Sequence, residues 1–194
     1  MEGKPQMASV AFHPDGKSLI TGHFTGEQNP YSICFWEVPS GRWTKGIANK
    51  TSGMRYLSIS KDATFGVGTI GTAPLFPFRE IQLWDLKKGL GIEELNPAEA
   101  DGCTTRAAVS PDGKWIVWVA ADSTRLVLWQ VAAHKPRAVL DYAERQEELG
   151  LIHAKFSPDG KQIAVLAHKH VRAKDEEYQV EATIRLIEVV SSPK

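Results

Sequence analysis

The chain has little of what usually marks a dedicated chemistry. Its 194 residues include only two cysteines, Cys34 and Cys103. Two cannot make a disulfide framework, and two reduced thiols are the expected state. There is no excess of charge: 23 basic residues balance 23 acidic ones. Without a basic excess, neither a nucleic acid nor an anionic membrane surface is favoured as the main partner. No apolar run reaches membrane-spanning length, and Met1-Glu2-Gly3-Lys4-Pro5 is not a signal peptide, so the cytoplasm is the expected location. The chain lacks a glycine-rich phosphate loop, a Gly-x-Ser-x-Gly elbow and a Cys-x-x-Cys pair. No catalytic constellation and no cofactor are therefore expected. His168-Lys169-His170, with His153 before them, are the nearest thing to a metal cluster. An alternating pair in a charged stretch fixes neither ligand number nor geometry and reads as a solvated face.

What the chain does have is a repeat. Ala107 to Trp118 contains Ser-Pro-Asp-Gly-Lys between two apolar runs, and Ala154 to Val165 repeats it. Val10 to Ile20 is a third copy with His13 in place of Ser, and Leu57 to Val67 is the weakest, with Ser60-Lys61-Asp62-Ala63-Thr64. Pro presets φ, Asp bonds its own backbone and Gly permits positive φ, so each copy is a β-hairpin signal with a mechanism. Asp15, Asp62, Asp112 and Asp159 stand 47, 50 and 47 positions apart. A near-constant period of that size means a repeat architecture. The same aspartates, read as catalytic acids, fail because they recur with the fold and never pair.

A second element follows each turn: Ile33-Cys34-Phe35-Trp36-Glu37-Val38, Ile81-Gln82-Leu83-Trp84-Asp85-Leu86, Leu126-Val127-Leu128-Trp129-Gln130-Val131 and Ile184-Arg185-Leu186-Ile187-Glu188-Val189. These β-branched and aromatic runs are strands. Three are followed by a short polar segment suited to an outer edge strand (Ser40–Gly46, Lys88–Ile92, His134–Leu140). Each unit then has an inner strand a, a hairpin to b, a longer connection to c, and an edge strand d.

Trp84-Asp85-Leu86-Lys87-Lys88-Gly89 and the Ser-Pro-Asp-Gly-Lys turns resemble the tryptophan–aspartate (WD) repeat family in divergent, bacterial-looking form, over nearly the whole chain. The resemblance implies a β-propeller: all-β, four consecutive four-stranded antiparallel blades, a partial or half ring, at about residues 8–47, 54–95, 104–140 and 151–190. The turns also resemble propeller repeats of TolB-like periplasmic proteins and of prolyl-oligopeptidase gating domains. Departures are clear. Trp-Asp is intact only at Trp84-Asp85, and Gly22-His23 follows strand b instead of preceding strand a. Asp122 alone stands where a tight b–c turn would want an aspartate. The buried Asp–His–Ser–Trp network of the family is therefore not expected in its usual form. Trp36, Trp84 and Trp129 read as core between blades.

Length varies only in the b–c and d–a connections, which a four-stranded meander places on one face. Residues 22–31, 71–79 and 168–182 are the b–c insertions. In a repeat protein such a face is where binding is expected. Phe76 and Phe78, flanking Pro77, are candidate anchors, or else cover the rim of their own blade. Tyr31, Arg55, Arg79, Arg106 and His153 complete the candidate partner-binding set. The expected function is a non-catalytic scaffold that binds a protein or peptide. The alternative is the gating or docking propeller portion of a larger hydrolase or a TolB-like translocation protein.

The fourth unit has no strand d, and residues 3–8 are the one unassigned segment that could supply it. Uncovered end faces would leave large apolar patches, so further blades are expected from a second copy, another chain or the rest of a longer protein. Cys34 and Cys103 fall two blades apart, farther than the roughly 7 Å a disulfide allows. The unfolded, unreduced chain should titrate two free thiols; zero would contradict this placement.

Overall fold

The computed structural model describes residues 7–23, 30–48, 54–70, 80–95, 106–120, 122–141, 150–172 and 178–189. They form fifteen strands in four antiparallel sheets, each ordered as in the chain. Sheet 1 holds β1 (Met7–Phe12), β2 (Ser18–His23), β3 (Tyr31–Glu37) and β4 (Trp43–Ala48). Sheet 2 holds β5 (Met54–Ile59), β6 (Phe65–Ile70), β7 (Glu80–Asp85) and β8 (Leu90–Leu95). Sheet 3 holds β9 (Ala108–Val109), β10 (Trp115–Val119), β11 (Arg125–Gln130) and β12 (Lys135–Asp141). Sheet 4 has three strands among the described residues: β13 (Gly150–Phe156), β14 (Gln162–Arg172) and β15 (Tyr178–Glu188). The architecture is a partial β-propeller of four consecutive blades. No helix among the described residues is long and apolar enough to cross a membrane.

The turns between first and second strands are built as their residue types require. In each, the aspartate Oδ1 accepts a backbone N–H two residues on: Lys17 at 2.8 Å, Thr64 at 3.0 Å, Lys114 at 3.1 Å and Lys161 at 3.1 Å. Ser60, Ser110 and Ser157 donate their hydroxyls to the same oxygen. These bonds favour the charged carboxylates and hold Asp15, Asp62 and Asp159 below their ordinary pKa. Gly16, Gly113 and Gly160 take positive φ. In the weakest copy Ala63 adopts φ 50° in glycine's place, so turn geometry outlasts the motif. Asp122 does close a tight turn, with Oδ1 accepting the N–H of Thr124 and Arg125.

Strand alternation gives every sheet two apolar faces, and the sheets stack through them. Ile20, Ile33, Phe35 and Ile47 of sheet 1 pack with Met54, Trp84 and Leu86 of sheet 2. Ile81, Leu83 and Leu95 meet Val109 and Trp129 of sheet 3. Ala108, Val117 and Leu126 meet Ala154, Phe156 and Val165 of sheet 4. Ser9 and Ser58 add bonds between sheets by accepting the N–H of Leu57 and Val109, each at 3.1 Å. Trp84 and Trp129 lie in these seams as the sequence suggests. Trp36 instead lies on the outward face of sheet 1, part-buried, where no described sheet covers it.

Three expectations need correction. The charged stretch 168–182 is not a simple connection, because β14 and β15 continue through it and stay paired out to Arg172 and Tyr178. In this ladder Lys169 stands opposite Glu181. Residues 22, 23 and 31, read as insertion, belong to β2 and β3. Of residues 3–8, expected to supply a fourth strand to sheet 4, Met7 and Ala8 lie in β1, which pairs with β2, and residues 3–6 lie outside the described residues.

Gly113→Ala and Gly16→Ala separate backbone strain from contact. A Cβ at Gly16 meets nothing within 4 Å, whereas one at Gly113 comes 2.9 Å from Phe65 in the neighbouring sheet. We expect Gly16→Ala to cost about 1 kcal/mol for its positive φ, and Gly113→Ala about 1–3 kcal/mol more for overpacking. Equal losses in chemical denaturation would mean the turn of sheet 3 does not bear on sheet 2.

Candidate functional site

The site grows out of the innermost strands. Six residues before the turn aspartates stand Ser9, Tyr56, Arg106 and His153, one per sheet at equivalent places. In three sheets the register slips just ahead of this place, between Met7 and Ser9, Met54 and Tyr56, and Leu151 and His153. A bulge there kinks the strand and re-aims the side chain. All four lie where the first strands begin, which in a meander is also the end that carries the variable connections.

Two members of this row touch. The Arg106 guanidinium lies 4.1 Å from the centre of the Tyr56 ring, a cation–π contact of about 0.5–1 kcal/mol at a wet site. His153 is partly buried, and its Nδ1 has no hydrogen-bond partner among the described residues. Burial, and then the positive charges of Arg106 and Lys155, push its pKa below the ordinary value, so it is neutral at pH 7. Farther along the same strands a groove of about 350 Å³ opens, lined in part by Ser58, Lys61, Val109, Lys155 and Phe156. Arg106, just before β9, and Lys155 of β13 are the described cations of the innermost segments, and both lie near His153. The two cations and the imidazole thus fall along one line of innermost positions. Such a line, beside an aromatic ring and a neutral imidazole, can hold a carboxylate and the apolar atoms next to it.

The structure brings only part of the expected set together. Arg106 and His153 are neighbours in the row. Arg55 is the bulge residue of β5, and its side chain lies outside the described residues, as do Phe76, Phe78 and Arg79. Tyr31 begins β3 at the same end, but packs away from the row, with its ring over Gly46 and 5.9 Å from Trp43. Two participants were missed from sequence. Tyr56 and Lys155 become visible by counting back from the turn aspartates, a register argument that needs no motif. Among the described residues no group of three or more His, Cys, Asp or Glu could hold a metal ion.

A second arrangement also escaped the sequence. The Trp36 indole N–H donates to Thr21 Oγ1 at 2.6 Å, and His23 Nε2 lies 2.6 Å from the same oxygen. A Trp–Thr–His chain thus forms in sheet 1, with the histidine drawn from the second strand. His23 is buried, which lowers its pKa, and its Nδ1 has no described partner. Trp84 and Trp129 do not build the chain again, and their indole nitrogens have no partner among the described residues.

With this geometry in hand, the likenesses to known proteins can be placed. No family model matches the chain. It is 24% identical over 158 residues to telomerase protein component 1 of Rattus norvegicus, a match covering 80% of this chain and 5% of that protein. It superposes on hydrazine synthase of Kuenenia stuttgartiensis with a TM-score of 0.59 at 16% identity, covering 97% of this chain and 53% of that one. The chain therefore spans a small fraction of the curated relative and about half of the solved one. The likeness to the solved chain is a likeness of fold.

Both lowered histidines make stability depend on pH with a definite sign. The unfolded chain takes up a proton near the ordinary value of 6.5, while the folded chain holds His23 and His153 neutral to lower pH. Stability should be full above that value and fall as pH drops through it. Replacing both with Gln should flatten the profile of thermal midpoint against pH between neutrality and mild acid. A wild-type midpoint that rises on acidification in that window would contradict the assignment.

Proposed function

We propose that the chain is a non-catalytic scaffold of divergent WD-repeat type, and that the end of its blades carrying the variable connections binds an acidic peptide or protein segment. The observation that carries this reading is the row of equivalent inner-strand residues, where Arg106 lies over Tyr56, His153 is held neutral, Lys155 follows, and no carboxylate shares the strands. Lysine and arginine on rigid strands beside an aromatic ring offer charge-assisted bonds to Asp or Glu and an apolar wall for a neighbouring side chain. Phe76 and Phe78, which lie outside the described residues, are proposed as further apolar anchors. The curated relative is by name a component of telomerase, which agrees with a part that binds other parts. The cytoplasm remains the proposed location.

A fluorescent Glu-rich peptide, with a Lys-rich peptide of equal length beside it, tests the reading. The acidic peptide should bind and the basic one should not. Arg106→Ala should weaken binding by about 1–2 kcal/mol, consistent with loss of a hydrogen bond to a charged group, and added salt should do the same. Equal binding of both peptides, or an Arg106→Ala variant that binds as the wild type does, would overturn it.

A further inference from the structure

The three seams between sheets share one design, and the two ends of the stack carry its unused halves. In the third strand of each sheet, two aliphatic or aromatic side chains point to the next sheet: Ile33 and Phe35, Ile81 and Leu83, Leu126 and Leu128. The residue after each pair points the other way, so that Trp84 faces sheet 1, Trp129 faces sheet 2 and Ile187 faces sheet 3. At one end the forward pair is Ile184 and Leu186, exposed by 72% and 64%, whereas Ile81 and Leu83 are exposed by 2% and 0%. At the other end the backward residue is Trp36, flanked by exposed Phe12, Val10 and Trp43. Among the described residues, packing joins only consecutive sheets to this degree, and sheets 1 and 4 do not meet so.

We propose that a second copy of this chain covers both ends, the outward face of sheet 1 in one copy seating on the outward face of sheet 4 in the other, twice, to make an eight-bladed ring. The contact is the internal seam used again. Aromatic Trp36 and Phe12 meet the aliphatic Ile184 and Leu186 as Trp84 meets Ile33 and Phe35. The facing strand positions of sheet 1 carry no Lys, Arg, Asp or Glu. Among the described side chains, the outward face of sheet 4 carries of these only Lys155, on its innermost strand, and Glu188, at the end of β15. The face of sheet 1 measures roughly 19 Å by 20 Å, and that of the three described strands of sheet 4 roughly 14 Å by 20 Å. Two contacts cover at most about 1,300 Å², at the low end of stable interfaces, and Thr21, His23, Ser32 and Cys34 on the sheet 1 face are already buried in one copy. Two copies also span a length like that of the solved propeller-like chain, of which one copy covers 53%. Head-to-tail contacts of this kind close when the rotation allows it.

Light scattering on the purified 194-residue chain over a dilution series tests the proposal, together with Leu186→Asp and Phe12→Asp. Both substitutions fall on side chains exposed in one copy, and circular dichroism should show both variants folded. The wild type should have the mass of two chains. Each variant should raise the dissociation constant at least about a hundredfold, because it buries an unpaired charge. An equal mixture of the two should recover a two-chain species, since one intact face remains on each. A wild-type chain that stays monomeric would overturn the proposal, and so would open-ended polymers. A Phe12→Asp variant that remains dimeric while Leu186→Asp does not would overturn it by showing a symmetric contact through sheet 4 alone.

Discussion

Every feature of this chain depends on the need to cover both faces of a small antiparallel sheet. Six-residue strands of alternating character usually leave one face wet. Here both alternations are apolar, so a sheet alone would expose two oily surfaces, and only another sheet of the same design can bury them. The tryptophans and the paired aliphatics before them meet that demand, and Trp84 sits fully buried between its sheet and the previous one. Buried apolar area of this kind, at about 25 cal/mol per Å², drives the stacking. The turns merely set each sheet's register.

Stacking also decides what the chain can offer a partner. Because consecutive sheets repeat the same register, equivalent residues line up along the innermost strands, and a side chain there lies beside its counterparts from the neighbouring sheets. Arg106 against Tyr56 and His153 beside Arg106 are consequences of that alignment. No single sheet owns the site. The positive charge around His153 comes from Arg106 of the neighbouring sheet and from Lys155 two places along its own strand.

Much of the architecture was legible beforehand, and for physical reasons. Pro-Asp-Gly fixes a turn locally, and the third strands are β-branched and aromatic, so period and strand order follow from short-range rules. Asp62 with Ala63 shows the limit of the motif: the turn forms with alanine at positive φ because serine and aspartate supply the same bonds. What escaped was long-range or ambiguous. The extension of β14 and β15 through a charged stretch depends on cross-strand pairing, not on hydrophobic pattern. The Trp36–Thr21–His23 chain required knowing that Thr21 and His23 share a face of β2. Tyr56 was unremarkable until the register placed it under Arg106, whereas Phe76 and Phe78, prominent in the sequence, lie outside the described residues.

The claim that mutual cover of sheets holds the molecule together is tested most directly by hydrogen exchange read strand by strand along a protein dilution series. The inner sheets, covered on both faces, should keep the slowest amides, in β6, β7, β10 and β11. If a second copy covers the outer faces as proposed, dilution should speed exchange first in sheet 1 and sheet 4. Uniform exchange across all four sheets, or the slowest amides in β1 and β15 at every concentration, would contradict the account.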